Sequence, residues 1–196
     1  MINKILHTII VFSVTSLFTA IAADFILFHK NKETKGEKKS VVETGTMFLF
    51  FFLYYFIIIK KIGIINIKND NIYFWLSVIG TILIFLGSLG NIIGRFNLGK
   101  NWGNQIKIYN EHTIVKTGMY KFVRHPLYAT IILMFIGGSI VYVNILSLIT
   151  VFSIFLPFMI YRIKQEEVLL TAHFPEYKEY QKNTGMLFPK IFKRRI

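Results

Sequence analysis

The sequence predicts an all-α integral membrane protein with five transmembrane helices, a cytosolic-side loop and a carboxyl-terminal helical segment. Three observations carry that reading. Of the 196 residues, 54% are hydrophobic and 16% aromatic, and the mean hydropathy is +0.52, above the usual range for a soluble domain of this size. The apolar residues gather into four long runs, three of about the 20 residues that a helix needs to cross a hydrocarbon core of about 30 Å and one longer. Charged residues make up only 17% of the chain, yet Lys and Arg total 23 against 10 acidic groups, so the formal charge of +13 is segregated between the runs. The length fits one domain over residues 1–196. The chain has no cysteine, which excludes disulfides, cysteine-ligated metal sites and a thiol nucleophile. Any chemistry must therefore run on carboxylates, imidazoles, phenols and guanidiniums.

The first run, residues 5–28, follows Lys4 and contains Ala20-Ile21-Ala22, a pattern that also resembles a signal-peptide cleavage site. Its apolar stretch exceeds a signal core, and the basic segment 30–39 follows it as a stop, so we read it as a retained span. The second run, 41–59, is bulky and aromatic over 48–55, a stretch expected to face lipid. The third is 72–93, reached through a polar connection carrying Gly63, Asn66, Asn69 and Asp70. Asp24 and Glu43 fall near helix ends, where a charge is tolerated. The fourth run, 127–163, is too long for one ordinary span. Gly137-Gly138 and Asn144 lie near its middle, so it reads as two helices, 127–141 and 144–163, joined by a tight turn between Tyr142 and Asn144.

Basic residues test that division, because they accumulate in cytoplasmic loops. With five spans, 19 of the 23 Lys and Arg fall on one side, which places the amino terminus outside and the long loops and carboxyl terminus in the cytoplasm. Four spans would split the basic residues and the candidate site between opposite faces. There is no glycine-rich nucleotide fingerprint; Gly90-x-x-x-Gly94 sits at a span end and allows close helix approach, to a partner chain or to a neighbouring helix. Oligomeric state is not legible from sequence.

Outside the spans, polar side chains suited to chemistry concentrate in 94–126 and 162–196, on the same expected face. The first stretch holds Leu98-Gly99 and Trp102, Glu111-His112, Gly118-x-Tyr120, and Arg124-His125-Pro126-Leu127-Tyr128. Pro126 suits the first turn of a helix, where its missing N–H costs nothing, and His125 before it is biased to extended backbone. The second stretch holds Arg162, Glu166 and Glu167, then His173, Phe174, Pro175, Tyr177 and Tyr180. Arg162 and Glu166 are spaced i,i+4 and share a helix face, while Glu167 lies about 100° around from Glu166, so one carboxylate can face a pocket while the other faces water or a lysine.

In order and spacing these pieces resemble the isoprenylcysteine carboxyl methyltransferase family over about residues 94–190; membrane methyltransferases acting on phospholipids and small thiols share much of the pattern. The resemblance implies methyl transfer from S-adenosylmethionine, bound in a cytosolic-side pocket closed by the carboxyl-terminal segment, to a lipophilic acceptor entering from the bilayer. It implies Tyr120, Arg124, His125, Pro126, Tyr128, Glu166 and Glu167 as cofactor-binding residues, with Arg162 and Glu166 at the reacting centre. Arg124 and the helix-start amides suit the cofactor's carboxylate, Glu166 or Glu167 its ammonium or ribose, Tyr128 or Tyr120 its sulfonium, and Arg162 an anionic acceptor. The sequence departs from the pattern at Pro175, where glycine is common, and at Thr130, where a small residue often stands and a larger one would narrow the pocket floor.

Plainer readings attach to the remaining residues. Trp102, Tyr177 and Tyr180 are expected to be interfacial or packing aromatics. His7 and His29 receive no role, and neither His112 nor His173 has carboxylates spaced for a metal, so no metal is expected. Lys193-Arg194-Arg195 points to anionic lipid and not to nucleic acid. Two other classes compete with the methyltransferase. NADPH-dependent membrane sterol reductases share Arg-His-Pro but carry Asn before the tyrosine and an acidic residue three places after it, where this chain has Leu127 and Ile131. A non-catalytic membrane scaffold would need none of these groups.

Overall fold

A computed structural model describes residues 2–28, 34–38, 41–101, 106–109 and 113–190. Its helices are α1 (Ile2–Phe28), α2 (Val41–Ile59), α3 (Asp70–Leu98), α4 (Pro126–Val141), α5 (Ile145–Thr150), α6 (Leu156–His173) and α7 (Tyr177–Asn183). A π turn over Val151–Phe155 joins α5 to α6 in one continuous helix. By length and composition three helical stretches can cross a membrane, Lys4–Ala23, Asp70–Leu98 and Ile145–His173, with shorter apolar helices at Leu49–Ile59 and Pro126–Val141. The chain is a multi-pass membrane protein.

α3 is the helix on which the others assemble. The side chain of Asn69 caps its start by accepting from the amides of Asn71 and Ile72, and Gly99 ends it with a φ of 51°. One face is small. A Cβ on Gly80 would stand 2.6 Å from the Gly137 carbonyl oxygen of α4, and one on Gly90 or Gly94 would stand 2.9 Å from Thr130 Cγ2 or Leu127 Cδ2. The Gly90-x-x-x-Gly94 pair thus serves a contact within the chain, and α3 and α4 approach almost backbone to backbone. Fully buried Asn91 ties the same seam, donating to the Leu127 carbonyl at 3.0 Å and to Thr130 Oγ1 at 2.9 Å. Thr130 therefore faces α3, bonded also to the Pro126 carbonyl at 2.8 Å, and its hydroxyl is occupied there instead of narrowing a pocket floor.

α1 packs on a neighbouring face of α3, where Ser88 donates to the Ser13 carbonyl at 2.6 Å. α2 packs on α5, and here the lipid-facing expectation for 48–55 is corrected. Phe50 is 3% exposed and stacks on Phe155 at 4.5 Å, and the Tyr54 hydroxyl donates to the Phe135 carbonyl at 2.7 Å. Their i,i+4 spacing turns one stripe inward, while Leu49, Phe52 and Tyr55 stay exposed. A second stripe on the last long helix, Val151, Phe155, Met159 and Ile163, is wholly buried and completes this core.

The tight turn falls where the sequence places it. Val143 takes a φ of 46°, and Asn144 caps α5 by accepting from the Ser147 amide at 2.8 Å. Asn144 also donates to the Ile62 carbonyl at 2.9 Å and the Ile145 amide donates to Gly63 at 3.0 Å, which fastens the 60–64 connection to this turn. The architecture is all-helical, as the sequence predicts, with one short addition. β1 (Thr34–Lys38) and β2 (Ile106–Tyr109) pair antiparallel, joining the connections after α1 and after α3.

Candidate active site

The start of α4 is built by chain geometry. Pro126 opens the helix at its first turn, and His125 stands at the N-cap position with φ −126° and ψ 61°, outside the helical region but not the extended backbone the sequence suggests. The segment just before it is clamped by the carboxyl-terminal stretch. Val123 and Gly185 form a parallel bridge, the Arg124 amide donates to Gly185 at 2.8 Å and the His125 amide to Met186 at 3.1 Å. The Tyr180 hydroxyl donates to the Tyr120 carbonyl.

α6 continues past the apolar run and carries its polar residues to this clamp. Glu167 is buried, and its Oε1 accepts from Arg124 Nε at 2.7 Å and from His125 Nε2 at 3.1 Å, while its Oε2 accepts from Gln181 Nε2 at 2.9 Å. The Tyr177 hydroxyl reaches the same Oε1 at 3.5 Å, the long limit of a hydrogen bond. Arg124 Nη1 donates to the carbonyls of Gln181, at 3.1 Å, and of Thr184. Of the two carboxylates, Glu167 is the one turned inward, facing Arg124 and α7.

Glu166 stands on the other side of the His125 ring. Its side chain is 32% exposed, more open than Arg124, His125 or Glu167, and its Oε2 accepts from the Tyr128 hydroxyl at 3.1 Å and lies 3.8 Å from His125 Nδ1. The Tyr128 hydroxyl in turn accepts from Arg162 Nε at 3.1 Å. The i,i+4 pair Arg162 and Glu166 thus meets on one phenol. The Tyr128 ring lies nearly parallel to the imidazole, with centroids 5.8 Å apart. Arg162 is 6% exposed, and its Nη1 also reaches Met47 Sδ of α2 at 3.6 Å.

Outside the spans, burial first and the nearby carboxylates second push the phenols of Tyr120 and Tyr177 far above their ordinary range, and burial pushes Tyr180 up to about 12. All three are neutral hydrogen-bonding groups at working pH. Tyr177 and Tyr180 are buried packing residues, as the sequence indicates.

Tyr120, Arg124, His125, Pro126, Tyr128, Arg162, Glu166 and Glu167 therefore converge where α4 begins and α6 ends. Gln181 and Thr184 belong to the same cluster and carry no sequence signal, since a lone Gln and a backbone carbonyl match no spacing rule. Arg95 Nε donates to Asn91 Oδ1 at 2.8 Å one turn along α3, where spacing gives no hint either. Trp102, Glu111, His112, His29 and Lys193-Arg194-Arg195 lie outside the described residues. Among the described residues no group of three His, Asp or Glu gathers to hold a metal ion.

Comparison with known proteins adds to this geometry. A sequence model described as the isoprenylcysteine carboxyl methyltransferase (ICMT) family matches residues 77–172. Protein-S-isoprenylcysteine O-methyltransferase of Saccharomyces cerevisiae is 33% identical over 118 residues, covering 59% of this chain and 49% of that protein. The proteins of the same name from Xenopus laevis and Homo sapiens are 34% and 31% identical over 121 and 123 residues, each covering 59% of this chain and 42% and 43% of those proteins. The matched stretch is about half the length of these relatives.

Proposed function

We propose, from the match of residues 77–172 to the isoprenylcysteine carboxyl methyltransferase family, that the chain is a member of that family and transfers a methyl group from S-adenosylmethionine to a lipophilic acceptor, an isoprenylcysteine-type carboxylate. One observation carries the reading: the Tyr128 hydroxyl joins buried Arg162 to the partly exposed carboxylate of Glu166, beside the His125 ring. A positive, a negative and two aromatic groups within hydrogen-bond reach suit a zwitterionic sulfonium cofactor and an anionic acceptor together.

The donor set suits the cofactor group by group. Glu166 faces its ammonium, the Tyr128 and Tyr120 rings suit its positive sulfur, and Arg124 retains Nη2 for its carboxylate while Nε and Nη1 hold Glu167 and the tail. S-adenosylmethionine supplies an electrophilic methyl group on sulfur. Arg162 holds the acceptor's anion, and Tyr128 fixes the guanidinium relative to Glu166, so the chain's contribution is orientation. A carboxylate acceptor is already ionised and needs no general base; exclusion of water by the clamped tail does the rest.

The same reading places five crossings in the membrane, with the amino terminus outside and the site cytoplasmic. The bias of 19 of 23 basic residues supports it. So does the pairing of connections at two ends: β1 with β2, and Gly63 with Ile145. The test is transfer of radiolabelled methyl from S-adenosylmethionine, by protein in nanodiscs, to an S-farnesylcysteine, a phosphatidylethanolamine or a small thiol. Label on the farnesylcysteine carboxylate supports the proposal. Label on the amine or thiol alone reassigns the acceptor, and label on none refutes it.

A further inference from the structure

Glu167 has one oxygen held by groups next to it and the other held from the tail. Oε1 takes Arg124 and His125, both at the start of α4, and Oε2 takes Gln181 Nε2 at 2.9 Å from α7. A carboxylate pinned through one oxygen keeps a soft terminal torsion, because rotation about an sp³–sp² bond has broad minima. The second bond removes that freedom. The carboxylate plane then fixes where the imidazole of His125 can point, since its Nε2 bonds the same group.

We infer that Gln181 is a positioning residue for His125, acting through Glu167. An ionised carboxylate only accepts, so in the neutral ring Nε2 carries the hydrogen and Nδ1 presents its lone pair. Nδ1 lies 3.8 Å from Glu166 Oε2, and the ring lies beside Tyr128. Two acceptors at that separation suit one shared donor, and an ammonium group has the N–H bonds to serve both. The tail thus sets the geometry of an ammonium subsite it does not touch. Gln181 lies beyond residues 77–172, the stretch that the family model matches, on the carboxyl-terminal segment. That the ammonium is the cofactor's rests on the proposed methyltransferase reading; the placement of His125 does not.

The test uses full-length protein in nanodiscs with ¹⁵N-labelled histidine, the His125 signals being identified by their loss in His125→Gln. Gln181→Met keeps the length and removes the donor, and Gln181→Lys restores a donor. The wild type is expected to show His125 as the Nε2–H tautomer, Gln181→Met a mixture of tautomers, and Gln181→Lys the wild-type pattern. S-adenosylmethionine binding is expected to weaken about tenfold in Gln181→Met, equal to about 1.4 kcal/mol, and to return in Gln181→Lys. An unchanged His125 spectrum in Gln181→Met overturns the inference, as does an equal loss in both variants, which would mean packing alone. A shifted spectrum in protein that binds no S-adenosylmethionine upholds the positioning role and refutes the methyltransferase reading instead.

Discussion

Glu167→Ala deletes the acceptor that Arg124, His125 and Gln181 share, and its cost can be worked from the site. The Arg124 side chain is 8% exposed and bonded to Glu167 at 2.7 Å, so the substitution leaves a buried guanidinium without its counter-charge. Removing one partner of a buried pair costs about 3–5 kcal/mol. Arg124 keeps two backbone carbonyls, which argues for the lower end, about 3 kcal/mol. The span helices pack through α3, α4 and the Phe50 core, which the substitution does not touch, so the loss falls on docking of the tail. At about 1.4 kcal/mol per tenfold, local opening becomes about 100-fold more populated. Hydrogen exchange reads this directly at the amides of Arg124 and His125, bonded to Gly185 and Met186, and at Thr184, bonded to Tyr180. Those three should exchange about 100-fold faster while α3 amides hold their rates. Arg124→Leu should do the same, and the double variant should cost less than the sum of the singles. Unchanged exchange at the three amides, or an equal rise in α3, would refute the idea that this pair latches the tail.

Other consequences are equally concrete. Gly80→Ala puts a Cβ 2.6 Å from the Gly137 carbonyl oxygen and 2.8 Å from the Val141 nitrogen, both backbone, so the α3–α4 seam must spread. Its thermal midpoint should fall by an amount matching about 1–3 kcal/mol. Tyr128→Phe removes the hydroxyl that joins Arg162 and Glu166 and should slow methyl transfer about 10- to 100-fold while leaving the protein folded, as single-turnover rates and circular dichroism would show. Tyr180 keeps its proton up to about 12 when docked, against about 10 when exposed. Its contribution to docking is therefore complete below pH 10 and lost as pH rises toward 12. A fluorophore on Lys178→Cys, unique in this cysteine-free chain, should report alkaline release of the tail, and Tyr180→Phe should flatten that transition.

The apolar helices were legible because each is a long local signal. Asn144 located the α4–α5 turn, since a buried cap residue inside an apolar run has few other uses. The polar cluster was legible in its charged members: Arg124 and His125 immediately precede α4, and Arg162 and Glu166 stand within α6 after a long apolar run, where apolar residues would be expected. What sequence spacing misses is which partner a group finds. The 100° offset of Glu167 was correct, but its face meets α7, and a contact with a segment ten or more residues away has no local period. Phe50 and Tyr54 read as lipid-facing because the whole of 48–55 is bulky, and only packing on Phe155 and Phe135 separates the inner stripe from the outer. β1 left no trace because Thr-Lys-Gly-Glu-Lys has none of the β-branched or aromatic alternation of a strand, β2 is only four residues long, and the two pair across some 70 positions.

Equilibrium binding of S-adenosylmethionine to the purified protein in nanodiscs, with NADPH measured in parallel, tests the central claim most directly. Saturable binding of S-adenosylmethionine, lost in Glu166→Ala and unaffected by NADPH, is the predicted result. Binding of NADPH alone, or S-adenosylmethionine affinity unchanged in Glu166→Ala, would contradict the assignment of the cluster around Tyr128 as the cofactor site.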